Sequence, residues 1–266
     1  MSTLQATSPS RNRLGGLAHT RDTVSRLVYV EFATRHRGSA LGWLWAVAPP
    51  LLMLVATSFV FTRVIPLDIP DYPVFLLVGI LAWTMFARSV GDGTTSLEQR
   101  RELVLRPGFA TQLLPIVVVL VAFTDYVLAA PVLLVALAVT TGVHATWLLV
   151  VPVLAIQLLL AAGIVLLLAP LQVYLRDVRQ VVTVAISVGF WLTPVFYEKE
   201  QVPSEVEWLY TLNPMQYLLE AQRELFIAGT VPDVGPLALV AVASAAVFAC
   251  GWLVFARMRD ALPEQM

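Results

Sequence analysis

YVLAAPVLLVALAVTTGVHATWLLVVPVLAIQLLLAAGIVLLLAPLQVYL, residues 126–175, runs for 50 residues without an Asp, Glu, Lys or Arg. An α-helix rises about 1.5 Å per residue, so about 20 apolar residues cross a hydrocarbon core of about 30 Å. This stretch therefore holds more than one crossing. Thr140, Thr141, Gly142 and His144 form its one polar, glycine-containing interruption, and the turn between two helices is placed there.

Working outward, further uncharged runs cover residues 38–62, 72–87, 107–124, 180–197 and 234–256. With 58% hydrophobic and 13% charged residues, the chain is too apolar for a soluble globular domain of 266 residues. The runs predict an all-α integral membrane protein with six spans, at about 42–63, 71–89, 109–141, 146–173, 178–196 and 234–256. The second is short and spans if Arg88 snorkels and Asp71 sits at the interface. The third, at 33 residues, must tilt, kink near Pro115 or Pro131, or project from the bilayer.

With both termini cytoplasmic, 14 of the 17 Lys and Arg flank inner loops, and Arg63, Lys199 and Arg223 fall outside. That bias fixes the orientation. Residues 1–20 read as a disordered cytoplasmic tail without a cleaved signal peptide, and 260–266 as a short cytoplasmic tail. The single cysteine, Cys250, lies within the last span and forms no disulfide framework.

Three segments lie outside the spans. Over 21–37, Val24, Leu27, Val28 and Phe32 recur at helical spacing among arginines, which predicts an amphipathic helix in the headgroup layer. Between the second and third spans, Ser96 and Gln99 have capping-box spacing before Arg100, Arg101 and Glu102. A short charged helix there fits either a docking surface or a solvated connector. Beyond the fifth span, Ser204 and Glu207 repeat the capping-box spacing for a helix to Leu212. Asn213 and Pro214 then read as the N-cap and first residue of a second helix with an apolar stripe of Met215, Leu218, Leu219, Leu225 and Phe226, ending at Gly229. This pair fits either a lipid-facing surface hairpin or an outer gate.

The only lysine, Lys199, follows Glu198, so no phosphate-cradling Gly-Lys-Ser/Thr loop exists and ATP hydrolysis by this chain is excluded. His19, His36 and His144 are far apart, and no metal site is expected. No Gly-x-Ser-x-Gly elbow and no paired Asp motif occurs, which removes most support for a membrane enzyme. Asp125 is the one carboxylate deep within a span. Ion coupling would need more such groups, so pairing with a hydroxyl or an Arg of a neighbouring helix is the expectation.

Specific strings add to this. Arg35-His36-Arg37-Gly38-Ser39-Ala40-Leu41-Gly42-Trp43-Leu44-Trp45 with Pro49 and Pro50, Leu175-Arg176-Asp177-Val178, Thr193-Pro194-Val195-Phe196-Tyr197, and Asn213-Pro214-Met215 with Arg223 come in that order. Together, over about 21–259, they resemble the permeases of ABC polysaccharide exporters: the O-antigen, capsule, teichoic-acid and mycobacterial galactan exporters. His36 departs from the aromatic residue frequent in that family.

The resemblance implies a homodimer in a bacterial cytoplasmic membrane, bound to two copies of a separate ATP-binding ABC subunit that holds ATP and Mg, with no cofactor in this chain. It implies that Ser96, Glu98, Arg100, Arg101 and Glu102 couple to that ATPase. Aromatic candidates for the pore or for glycan contact are Trp43, Trp45, Phe190, Trp191, Phe196 and Tyr197, and Asn213, Pro214 and Arg223 belong to the outer gate. The implied substrate is a lipid-linked glycan, admitted as the first and fifth spans separate; no nucleic acid is involved. The alternatives are a drug or lipid exporter permease of the same superfamily, and a membrane enzyme or scaffold of glycan assembly.

Overall fold

The computed structural model describes residues 13–36, 44–64 and 69–266, and among them every regular element is a helix. In chain order these are α1 (Arg13–His36), α2 (Leu44–Phe59, widened into a π-type turn at Val60–Val64), α3 (Tyr72–Thr94), and the single-turn helices α4 (Ser96–Gln99) and α5 (Arg101–Val104). Next come α6 (Leu113–Thr140), α7 (Val150–Tyr174, begun by a 3-10 turn at Ala145–Leu149) and α8 (Val178–Leu192). Last are α9 (Glu207–Thr211), α10 (Pro214–Arg223, widened at Glu224–Ala228), α11 (Val234–Met258) and α12 (Leu262–Gln265).

Five helical stretches, Val47–Val64, Tyr72–Thr94, Leu113–Thr140, Ala145–Tyr174 and Val234–Met258, are long and apolar enough to cross a membrane. The remaining apolar helix, α8, has 15 residues, a rise of about 22 Å. It was expected to reach 196 but stops at Leu192, because Pro194 disfavours helical backbone at Thr193, which is extended at φ −104° and ψ 133°.

Other boundaries also move. α1 starts at Arg13 rather than at 21, and α3 runs to Thr94 rather than 89. The expected helix over 96–105 breaks at Arg100, whose φ of −123° and ψ of 37° lie outside the α region. Neither capping box forms. Thr95 holds the N-cap position of α4 without a side-chain cap bond, the Ser96 hydroxyl donates to the Gly93 carbonyl, and the Gln99 amide donates to Thr95 Oγ1 at 2.8 Å. Pro203 holds the N-cap position of the Ser204 turn and Val206 that of α9, with no side-chain cap bond at either.

α3 forms the centre of the bundle, mostly buried, and packs against α2, α6, α7 and α8. α11 packs most extensively on α7. Between helices in a bilayer no hydrophobic force acts, so close packing through small residues holds such pairs. At Gly163 a Cβ atom would lie 2.6 Å from the Phe248 backbone nitrogen, so only glycine lets α7 and α11 approach this far. Val24, Val28 and Phe32, the predicted apolar face of α1, meet Leu120 and Phe123 of α6 across a shallow groove.

The helices define two ends. The basal end carries 95–112, 175–177 and 259–266, and a small core of Leu97, Val104, Leu114, Leu166, Ala169, Phe255 and Leu262 closes it. The apical end carries 141–149, 193–213 and 224–233.

Candidate functional site

At the apical end, the segment that breaks α8 is gripped from several sides. Asn213 caps α10, its Oδ1 accepting from the Met215 N–H at 3.0 Å, while its Nδ2 donates to Thr193 Oγ1 at 2.8 Å. Arg223, at the far end of α10, donates to the Pro194 and Val195 carbonyls at 2.7 and 2.6 Å, and its guanidinium lies 3.5 Å from the Phe75 ring centroid. Tyr72, at the start of α3, donates to the Phe196 carbonyl at 2.9 Å. Four consecutive residues, Thr193 to Phe196, are thus held by side chains of α3 and the α10 region. Gly79 makes room: a Cβ there would sit 2.6 Å from the Val195 oxygen and 3.0 Å from Arg223 Nη2.

Burial pulls the Arg223 guanidinium down to about 9, with Glu198 and Glu220 opposing the shift. It remains charged at neutral pH, and two short bonds to carbonyls recover part of its desolvation cost. The sequence placed Arg223 with the outer hairpin; the structure shows it turned inward as a fastening between α10 and the end of α8.

The same end gathers the aromatic residues. Phe196 packs on Phe190, Trp191, Tyr197 and Phe61, with ring centroids 5.8, 5.1, 5.0 and 5.4 Å apart. Trp83 of α3 joins through Phe190 at 6.0 Å, and Tyr197 continues the chain to Tyr210 through a 2.9 Å hydroxyl bond. Desolvation, together with that bond, raises the Tyr197 phenol well above its ordinary value, so it stays neutral. Four of the six expected aromatics therefore form one cluster, with Trp191 63% exposed and Phe196 8%. Trp45 lies on α2, 49% exposed, and is not part of it; Trp43 lies outside the described residues.

α10 does not rest on the surface. Its predicted apolar stripe, Met215, Leu218, Leu219, Leu225 and Phe226, is buried in the bundle, and so are Gln216 and Gln222. Gln222 donates to Gln157 of α7 at 2.9 Å, and Gln157 donates to the Ala82 carbonyl of α3 at 2.8 Å. In low dielectric, such satisfied polar chains fix one register between helices. The turn between α6 and α7 fastens the same hairpin: Thr146 and Trp147 donate to the Leu225 and Phe226 carbonyls at 2.7 and 3.1 Å. Gly229 ends it at φ 66°, where a Cβ would strike His144. α9, by contrast, is exposed, with Trp208 at 62%.

Asp125 pairs with Arg88 at 2.8 Å across α6 and α3, the expected helix-to-helix pairing. Arg88 therefore lies within α3 rather than at its end. The extra turns of α3 to Thr94 leave it inside the helix, where a charge is costly unless paired.

At the basal end the expected coupling residues divide. Glu98, Arg101 and Glu102 are exposed and Ser96 is buried. Arg100 is partly buried in an ion pair with Glu31 of α1, and desolvation lowers its pKa. Glu98 accepts from the Gln172 amide of α7 at 3.2 Å.

Sequence comparison bears directly on this architecture. The family model for the ABC-2 type transporter matches residues 23–227. An O-antigen export system permease protein RfbA of Myxococcus xanthus is 32% identical over 250 residues, which covers 92% of this chain and 96% of that protein. The chain belongs to the ABC-2 type transporter family. A namesake from Klebsiella pneumoniae is 28% identical over 217 residues, covering 81% of this chain and 84% of its own, and the polysialic acid transport protein KpsM of Escherichia coli is 24% identical over 220 residues, covering 79% and 83%.

In this ABC-2 type transporter chain, several residues that organise the site escaped the sequence reading. Gln157, within the long apolar run of α7, carried a usable signal, an amide where only apolar side chains are cheap, whereas Gln222 on the amphipathic α10 did not. Tyr72, Phe61, Glu31 and Gln172 gave none, because their partners lie on other helices.

Proposed function

We propose that this chain is the permease subunit of an ATP-driven exporter that carries a lipid-linked polysaccharide across the bacterial cytoplasmic membrane. The observation that carries the reading is the near full-length similarity to proteins named for O-antigen export and polysialic acid transport. Those names favour a glycan over a drug or a simple lipid. The aromatic cluster of Phe190, Trp191, Phe196 and Tyr197 supports it, since flat aromatic faces stack on sugar rings.

In this reading two copies of the chain form the transport path with two copies of a separate ATP-binding subunit, which supplies ATP and Mg. Both termini are cytoplasmic, in keeping with the 14 of 17 cationic residues at inner loops. α8 is the fifth of six spans, its 15 residues completed by the buried turn through Phe196. The basal end faces the cytoplasm, and Arg101 and Glu102, with Glu98, Arg100 and Ser96 behind them, meet the ATP-binding subunit. ATP-driven closure of that subunit moves the loop, and α2 and α8 separate to admit the glycan. Asn213, Pro214 and Arg223 hold the outer hairpin as the frame of the exit, beside Trp191.

Inside-out vesicles carrying this chain and its ATP-binding subunit test the proposal. ATP-dependent accumulation of a lipid-linked glycan in the lumen is expected. Equal accumulation without ATP, or glycan turnover by the chain alone, would contradict it.

A further inference from the structure

We propose that Gln172 is a positioning residue for transport, handing displacement of the basal loop to α8. The inference rests on the assignment of 96–105 to the ATP-binding partner made above.

Gln172 lies in the last turn of α7 and is 3% exposed. Both ends of its amide are used, in opposite senses: Nε2 donates to Glu98 Oε1 at 3.2 Å, and Oε1 accepts from the Arg179 backbone N–H at 2.7 Å. Arg179 is the second residue of α8, so its N–H is among the first-turn donors that have no partner inside the helix. Asp177, at the N-cap position, makes no side-chain cap bond. One side chain of α7 therefore caps α8 and holds α4 at the same time.

The amide suits both neighbours where a charged side chain would not. A carboxylate cannot donate to Glu98, and an ammonium cannot accept from Arg179. The link matters because α8 is otherwise lightly seated, with Val182 its one buried residue. At its other end α8 carries Phe190 and Trp191. A partner that shifts α4 thus pulls on the capped end of the helix that bears the aromatic cluster. The loop's other attachment, Arg100 to Glu31, leads to α1 instead.

The test uses the assembled complex with its ATP-binding subunit in proteoliposomes, with glycan moved per ATP hydrolysed as the readout. Q172E keeps the acceptor for the Arg179 N–H but sets a carboxylate against Glu98. It is expected to assemble and hydrolyse ATP normally while glycan moved per ATP falls about tenfold. The double variant E98Q/Q172E restores the bond with donor and acceptor exchanged, and is expected to restore transport. Q172M, which removes both bonds from the α7 side without adding charge or touching the loop surface, gives the same fall per ATP even if Q172E does not accumulate. Unchanged transport per ATP in Q172E or Q172M, or a loss that the double variant does not reverse, overturns the inference. A wild-type chain that binds no ATP-binding subunit fails earlier, and overturns instead the reading beneath it.

Discussion

The apical and basal ends are built on opposite terms. Apically, Thr193 to Phe196 are held by Asn213, Arg223 and Tyr72, and α10 by Gln222 and by Thr146 and Trp147, nearly all in buried or half-buried positions. Basally, α4 and α5 sit on the small core around Leu97 and Leu262, and their polar ties are Arg100 to Glu31 and Glu98 to Gln172. Buried, mutually satisfied bonds cannot be exchanged for water and lock one arrangement, whereas the exposed charges of Glu98, Arg101 and Glu102 cost little to move. On the function proposed above, the difference sets the basal loop as the part that moves and the apical fastening as the frame against which it works.

The fastening breaks most severely at Arg223. R223L leaves the Pro194 and Val195 carbonyls without their donors, and should cost about 3 kcal/mol. The check is the thermal midpoint of the detergent-purified protein by size-exclusion recovery, with R223K expected between wild type and R223L. G79A drives a methyl toward the Val195 oxygen and should cost about 2 kcal/mol in the same assay. N213A, losing the α10 cap and the bond to Thr193, should cost about 1 kcal/mol.

A smaller effect tests charge at the same end. Burial first, then Glu220 and Asp233, raise the pKa of Glu224. A carboxyl whose folded value is raised contributes stability that is complete below its ordinary range, near about 4.3, and is lost as pH rises through the raised value. E224Q should therefore gain about 0.5 kcal/mol or less over wild type at pH 8 and no advantage at pH 4, read as thermal midpoints at the two pH values. Smallest of all for stability is the basal double variant R101E/E102K, within about 0.5 kcal/mol of wild type. Its expected loss is in association with the ATP-binding subunit, measured by co-purification. A large drop in its thermal midpoint would erase the contrast between the ends.

The helical bundle was legible because long uncharged runs between charged residues say where apolar helices lie, though not where each one ends. Asn213-Pro214 was legible too, since an N-cap followed by proline is a local signal, and so was the pairing of Asp125, since a lone carboxylate in a span needs a partner. The identity of that partner was not: Arg88 looked terminal until α3 gained the turn to Thr94. The inward turn of Arg223 was hidden because α10 reads as amphipathic, and nothing local says that its polar residues, Gln222 and Arg223, also enter the bundle. Both capping boxes misled because the preceding helix or a proline had already supplied the start, leaving the hydroxyl of Ser96 to bond back to Gly93. Gln172 was invisible for the plainest reason: its two partners lie 74 residues before it and 7 after.

The most direct test of the account is to co-express the chain with candidate ABC ATP-binding subunits and purify the product in detergent. A stable complex of two permease and two ATP-binding subunits, hydrolysing ATP faster when a lipid-linked glycan is added, is the predicted result. A chain that purifies alone, or a complex whose hydrolysis ignores every glycan offered, would contradict it.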